Sequence, residues 1–480
     1  MRILFILKES NMNERLGVML LSSVLKSNGH EVKLVLAERI GFEKLDSLFK
    51  SYCPAIAGYS AMTGEHKSLL EINKLLKKNH KFSAVFGGPH ATFFPKIIEE
   101  EGCDAVCVGE GDISFPEYCR RVEHGEAYWE THNFIVKYKG RIHHNPLMPF
   151  IENLDSLPFP DRDLMYNADP DLLEEGHKVF FSTRGCPYKC AYCFNNKYNE
   201  MYKGKGGFLR HRSPENVIGE IEQVKNQYLL NFVLIEDDTF LIKPKGWFER
   251  FCELYKKINL PLSCNVHPSQ VTEEKIAQLK EAGLDSVSIG IECGNEEIAK
   301  NILGRTQSNK QIINACRILQ KYNVKIVTAN LNGLPVPNSF QVDLQTLDLN
   351  INIKPTFAWS SIIFPYPGTP IESYARSHGF LWDNTDFLET NKRSSVFSFS
   401  SPLEKRKIEN LHKLFGLIVE FPILRKFTTF LCVLPLKPFY TALFYFWYGY
   451  NYKIRIWPLS SLKKELGKYV LYWWKLIQKS

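Results

Sequence analysis

Residues 1–140 run as short, wholly apolar stretches separated by amphipathic ones, and this rhythm constrains the fold more than any other feature of the chain. The stretches "RILFIL", "EVKLVLA", "PAIAGYS", "SAVFGG" and "CDAVCVG" leave no wet face. Strands of that kind must be covered on both sides, as in a parallel sheet wrapped by helices. Between the first two, Leu16, Leu20, Val24 and Leu25 fall on one helical face, and Gly29 ends the helix. The expectation for 1–140 is a doubly wound, Rossmann-like α/β domain whose ligand lies beyond the carboxyl ends of its strands.

The rhythm then changes twice. At 480 residues the chain is too long for one ordinary core. Residues 141–175, with "NPLMPFIENLDSLPFPDRDL", hold four prolines there and no sustained period, and read as a linker. From 176 to 380 strands alternate with helices at longer spacing. Strands are expected at 178–183, 231–237, 261–266, 284–292, 324–331 and 356–364, and helices near 213–228, 245–257, 272–282, 308–322 and 339–351. Six such units fit a partial (β/α) barrel, in which chemistry sits at the carboxyl ends of the strands. Residues 381–480 lose the alternation and become aromatic, apolar and basic, so a helical region is expected there.

The opening "MRILFILKES" has one basic residue and an apolar run of five before Lys8, Glu9 and Ser10, which reads as a buried strand and not a signal peptide. A cytoplasmic, reducing compartment is the expectation. The 12 cysteines should then be free thiols, and a local cluster of them a metal site. Nine are scattered and read as small buried hydrophobes. The other three, Cys186, Cys190 and Cys193, stand in "FSTRGCPYKCAYCFNN" directly after an apolar strand. A structural zinc site would need a fourth thiolate or imidazole at a paired spacing, and none is near. Three thiolates suit one cubane iron–sulfur cluster with one iron left open.

C-x3-C-x2-C after the first barrel strand, with the aromatic Tyr192 before the last cysteine, resembles the signature of the radical S-adenosylmethionine (SAM) superfamily. The resemblance implies a 4Fe–4S cluster on Cys186, Cys190 and Cys193. SAM would chelate the open iron and be cleaved to a 5′-deoxyadenosyl radical. Polar motifs end the later strands: "LIEDDTF" with Asp237 and Asp238, "VSIGIECG" with Glu292, "LNGLPVPN" with Gly333, and "FPYPGTP". A carboxylate such as Glu292 can accept ribose hydroxyls, and backbone at Gly333 can approach an adenine. The family gives Tyr192, Asp237, Glu292 and Gly333 a place around SAM. For Asp237 and Asp238 a helix cap or turn is the competing reading.

In the first domain "GYSAMTGEH", "GGPHATFFP" and "VGEGD" follow the third, fourth and fifth strands. No G-x-G-x-x-G opens the first helix, which disfavours a dinucleotide. These turns, with the phrase "LDSLPFPDRD", resemble the cobalamin-binding domain that precedes the barrel in one large radical SAM branch. The resemblance covers roughly residues 1–380. It implies corrin contacts from Ser60, Met62, Thr63, Gly87, Gly88, His90, Gly109 and Glu110. The D-x-H-x-x-G motif is absent, as is common in that branch. His90 reads either as a corrin neighbour or as an ordinary helix-start histidine.

Residues 421–480 contain 17 aromatic residues, 10 Lys or Arg and one acid, so this tail carries +9 and the rest of the chain −1 of the net +8. Pro435, Lys437 and Pro438 split its longest apolar stretch below the ~20 residues needed to span a bilayer. The tail suits a peripheral contact at the inner face of a membrane, or a lid packed on the barrel. It is too apolar for a nucleic-acid surface. The whole then reads as a cobalamin-dependent radical SAM enzyme. The expected reaction is C-methylation of an unactivated carbon of a hydrophobic or lipid-like substrate, fed by an external flavodoxin- or ferredoxin-type electron donor. Two alternatives stand: a radical oxidative cyclase like the anaerobic magnesium-protoporphyrin ester cyclase, and a membrane-associated cobalamin-binding module without turnover.

Overall fold

The computed structural model describes residues 1–10, 13–382 and 394–457. The chain forms two compact units, one of Met1–Glu175 with Tyr198–Arg210, the other of Gly176–Lys197 with the residues from His211 onward.

The first unit holds a seven-stranded sheet of β1 (Arg2–Leu7), β2 (Glu31–Leu36), β3 (Ile56–Ser60), β4 (Ser83–Gly87), β5 (Ala105–Cys107), β6 (Phe134–Tyr138) and β7 (Arg141–His144). Their order is β2-β1-β3-β4-β5-β6-β7, parallel through β5 and antiparallel beyond it. Strand order 2-1-3-4-5 is doubly wound, and its topological switch falls between β1 and β3, where such folds bind ligands. The apolar runs are buried as their composition requires: Leu4, Ile6, Ala57, Tyr59 and Phe86 share one core with Leu69 and Leu76 of the helix His66–Asn79. The boundary expected at residue 140 falls inside a hairpin. Lys139 and Gly140 both take positive φ (47° and 75°) between β6 and β7, as a two-residue type I′ turn demands.

The proline-rich stretch expected as a linker belongs to this unit and packs on it. Arg162 pairs with Glu14 at 2.8 Å, both side chains almost fully buried, and Tyr166 donates its hydroxyl to the same carboxylate. Asp161 caps the helix Arg162–Ala168 through the Leu164 amide.

The second unit is a six-stranded, all-parallel sheet of β8 (His177–Phe180), β9 (Phe232–Ile235), β10 (Leu262–Val266), β11 (Leu284–Glu292), β12 (Lys325–Asn332) and β13 (Phe357–Ile362), each paired with the next. The helices Pro214–Gln227, Trp247–Ile258, Glu273–Ala282, Asn309–Lys321 and Ser339–Ile353 connect them, within two residues or so of the sequence expectation. Local signals mark their starts: Ser213 and Thr272 cap two of them, and Ser308 with Gln311 forms a capping box. This is the partial barrel, with its own core of strand residues such as Val233, Leu262, Val287 and Ile326.

Beyond it, the helix Pro402–Glu420 lays Ile408, Leu411, Phe415 and Ile418 against Phe340, Leu347 and Ala358. Gly416 permits that approach, since a Cβ there would stand 2.8 Å from the Ala358 carbonyl oxygen. Shorter helices at Thr428–Val433 and Lys437–Tyr450 follow. Residues 383–393 and 458–480 of the region expected at 381–480 lie outside the described residues. No helix among the described residues is long and apolar enough to cross a membrane.

Candidate functional site

All twelve cysteines are free thiols. Of the nine scattered ones eight are buried, as expected of small hydrophobes; Cys53 is exposed, because it occupies the left-handed C-cap of a surface helix. The remaining three form a partly buried loop at the carboxyl end of β8.

The loop is anchored at both ends. At its start the Asp237 carboxylate accepts the Ser182 amide at 2.6 Å, the Thr183 amide at 3.0 Å and the Ser182 hydroxyl, while the Lys243 ammonium, 2.8 Å away, balances the charge. All of these groups are buried. Asp237 therefore holds β8 to β9, and its oxygens are spent on protein. At the loop's far end the Ala191 amide donates to the Leu303 carbonyl at 2.9 Å, and the Ala191 carbonyl accepts from Ile371 at 3.0 Å. Gly304 (φ 69°) presses on the same segment, and a Cβ on it would stand 2.8 Å from the Lys189 carbonyl oxygen.

The residue after that glycine was not singled out from the sequence, and it organises the site. The buried Arg305 guanidinium donates to the Gly290 carbonyl, reaches the Tyr192 hydroxyl at 3.3 Å and Cys190 Sγ at 4.0 Å, and stands 3.9 Å from the Glu292 carboxylate. Glu292 lies where β11 shifts register between Gly290 and Glu292, with φ at +66°, a conformation costly for a residue with a side chain. Burial pushes its pKa up, while Arg305 and a hydrogen bond to Tyr192 pull it down. Tyr192, Glu292, Arg305 and Cys190 thus form one connected group. The signal for Arg305 in the sequence was faint, a lone "GRT" turn.

Gly333 directly follows β12, the strand paired with β11. Its φ is +74°, its amide donates to both oxygens of the buried Asp343 at 3.0 and 3.1 Å, and the room for a side chain is taken by Ile408. Asp238, the residue after Asp237, is exposed; desolvation raises its pKa against a hydrogen bond from Asn195 that lowers it.

Among the described residues no three His, Cys, Asp or Glu side chains close around a point, as they would around a single ion. Burial pushes the Cys186 and Cys193 thiols up to about 12 and about 11, and each also feels Cys190. Three thiolates on one loop are the donor set taken by an iron–sulfur cluster that leaves one iron open.

In the first unit the three glycine turns are stitched together. The Ala61 amide donates to the Gly87 carbonyl at 3.1 Å, His90 donates its amide to Ala61 at 2.9 Å, and the Gly109 amide donates to Thr92 Oγ1 at 3.1 Å. Gly88 (φ 83°) has no room for a side chain, since Ser60 Oγ would lie 2.8 Å from its Cβ. Thr63 Oγ1 lies 3.2 Å from His90 Nδ1, and the His90 ring stacks between His66 and Phe94. Burial, then the neighbouring His66, holds His90 down at about 3, so its imidazole is neutral. Apolar Met62 and Ile113 stay exposed beside these turns. A glycine-backbone cradle with exposed apolar residues at the strand ends fits a large, flat organic cofactor.

Glu110 does not present its carboxylate to that cradle. It makes two bonds to Arg210 at 2.6 and 3.0 Å, and its amide donates to the Tyr202 hydroxyl at 3.0 Å. That hydroxyl lies so close to Gly109 that a Cβ there would fall 2.0 Å from it. Tyr202 stacks on Phe150 at 3.9 Å, and the Arg210 guanidinium lies 4.1 Å from the Phe150 ring centre. Tyr202 and Arg210 come from the segment after the cysteine loop, which the sequence reading had placed wholly in the barrel.

Comparison with known proteins agrees with both halves. Residues 10–118 match the B12 binding domain and residues 180–343 the radical SAM superfamily. An uncharacterized methyltransferase of Pyrococcus horikoshii is 28% identical over 378 residues, 76% of this chain and 79% of its own. The anaerobic magnesium-protoporphyrin IX monomethyl ester cyclase of Cereibacter sphaeroides is 23% identical over 390 residues, 78% of this chain and 60% of its own. Two solved structures share the fold. The cobalamin-dependent radical enzyme OxsB with aqua-cobalamin bound has a TM-score of 0.72 at 15% identity, over 100% of this chain and 79% of that one. The methyltransferase TsrM from Kitasatospora setae, with cobalamin and a 4Fe–4S cluster bound, has a TM-score of 0.61 at 16% identity, over 80% and 76%. The chain joins a cobalamin-binding domain to a radical SAM domain.

Proposed function

We propose that this cobalamin-dependent radical SAM enzyme, whose cofactors are a 4Fe–4S cluster, SAM and cobalamin, is a C-methyltransferase acting on an unactivated carbon of a hydrophobic metabolite or lipid. The observation that carries the reading is the likeness, across three-quarters of both chains, to an uncharacterized methyltransferase of Pyrococcus horikoshii.

When bound, the cluster supplies the electron that cleaves SAM and cobalamin supplies the methyl group. Cys186, Cys190 and Cys193 would hold the cluster. Arg305 would keep positive charge beside Cys190 and orient Glu292 and Tyr192 toward SAM. Apolar substrate is favoured by a cluster of aromatic rings after the cysteine loop and after β13: Phe194 packs on Tyr366 at 4.7 Å, and Tyr366 on Phe364 at 4.9 Å. Reducing equivalents would come from a flavodoxin- or ferredoxin-type donor.

The cyclase likeness supports a second reading, in which both cofactors serve an oxidation or ring closure without methyl transfer. Product analysis separates the two. Methylation consumes one SAM for the radical and one for the methyl group, so anaerobic turnover with reductant should yield 5′-deoxyadenosine and S-adenosylhomocysteine in equal amounts. 5′-Deoxyadenosine alone supports the cyclase-like reading. Cys186→Ala should abolish both products, and a normal cluster in that variant would overturn the site.

A further inference from the structure

The two readings of the basic, aromatic tail divide between two faces of the same helices. In Lys437–Tyr450 the residues Thr441, Tyr445 and Gly449 recur every four positions and are buried, with Tyr440 beside them. Tyr448 of this helix packs on Trp359 of β13 at 5.0 Å, so that face belongs to the barrel. On the other side Phe439, Ala442, Phe446 and Tyr450, at i, i+3, i+7 and i+11, are exposed.

The segment before it repeats the pattern. Thr428 and Cys432 are buried, while Ile423, Phe427 and Phe430 point outward. Ile423, Phe427, Phe430, Phe439 and Phe446, spread over consecutive segments, each keep between 56% and 66% of their surface exposed, a density of large apolar side chains that marks an interaction surface. The two segments are fastened together: the Tyr440 hydroxyl donates to the Leu431 carbonyl at 2.9 Å, and Asn410 donates to the Cys432 and Leu434 carbonyls at 2.9 and 3.0 Å.

Charge identifies what would cover this face. Residues 421–457 contain Arg425, Lys426, Lys437, Lys453 and Arg455 and no acid. Arg425 is paired with Asp348 and Arg455 with Glu420 at the margin, whereas Lys426 and Lys437 are exposed beside the protruding rings. Aromatic rings with cations and without anions match the headgroup layer of an anionic bilayer, in which the rings bury and the ammonium groups meet phosphate. A protein partner would be expected to meet some acidic residues for register, and residues 421–457 contribute none.

We propose that the Phe421–Tyr450 surface docks the enzyme on an anionic lipid bilayer, lying in the interface without crossing it. This reading is independent of whether the reaction is methylation. It concerns where the active site is held, and it brings the barrel to a surface from which an apolar substrate can be drawn.

The test is flotation of the full-length protein with vesicles of phosphatidylcholine alone or mixed with phosphatidylglycerol. Binding should favour the anionic vesicles by about tenfold or more and weaken as salt rises, since screening shortens the reach of the lysines. The triple variant Phe427→Ser/Phe430→Ser/Phe439→Ser should lose about tenfold or more of that binding. Its far-ultraviolet circular dichroism and thermal midpoint should match wild type, as the rings make little contact within the chain. Lys426→Ala/Lys437→Ala should lose the anionic preference. Absence of binding to either vesicle, or binding undiminished in the triple variant, overturns the proposal. So does a wild-type dimer that the triple variant renders monomeric without vesicle binding, because the face is then an interface between copies.

Discussion

At the scale of single residues, the site depends on which charges are paired and how. Arg305 is buried, and its balance comes from Glu292 and the dipoles of Gly290 and Tyr192. Removing one member of a buried pair leaves the other uncompensated, at a cost of about 3–5 kcal/mol. Arg305→Gln should therefore lower stability by that order while leaving the three cluster thiols in place. Iron content per chain, measured in the cold, should stay near wild type. The change in the electron paramagnetic resonance spectrum on adding SAM should be lost, and Arg305→Lys should restore part of it. An unaltered SAM response would mean that Arg305 only supports the fold. The three-cysteine loop at 186, 190 and 193 was legible from spacing alone, because a C-x3-C-x2-C pattern is local in sequence. Asp237 was read as a SAM contact from its place after the second strand, yet its oxygens bind Ser182, Thr183 and Lys243. Position after a strand selects the right neighbourhood, but the identity of a carboxylate's partner depends on residues 55 positions away.

Among the elements, the turns matter more than the strands. Gly304 combines positive φ with a carbonyl oxygen 2.8 Å from where its Cβ would stand, and the loop it touches carries Cys190. Gly304→Ala should cost about 1–3 kcal/mol and reduce the iron bound per chain after reconstitution, because the loop must shift to make room. Gly379, at φ 74° with open space around it, provides the control: Gly379→Ala carries the backbone strain without the clash and should leave iron content unchanged. If both variants bind iron equally, the close approach at Gly304 does not position the loop. The strands and helices of the barrel were readable because hydrophobic period and caps are local signals. The β6–β7 hairpin was missed although "YKGR" contains a turn glycine, since a short exposed strand such as β7 lacks the apolar run that marks the others.

Over the whole molecule, two cores stand apart in composition, one built on β1–β5 and one on β8–β12 with their helices. Ligand that binds one folded unit stabilises that unit, by about 2.7 kcal/mol at a hundredfold excess over its dissociation constant. Differential scanning calorimetry with cobalamin should thus raise one transition and leave the other in place. A single transition displaced as a whole would show the two units to unfold together. The sequence by itself determined the class of each domain, the three-cysteine loop after the first barrel strand and the basic, aromatic character of the tail. Period, spacing and composition are properties of neighbours along the chain. Only the tertiary structure decided that Arg305 stands over Cys190, that Tyr202 and Arg210 occupy the Gly109–Glu110 turn, and that the tail's rings divide into a packed and an exposed face. Those pairings join residues roughly 90 to 115 positions apart, or depend on what each helix leaves uncovered, and neither has a local signature.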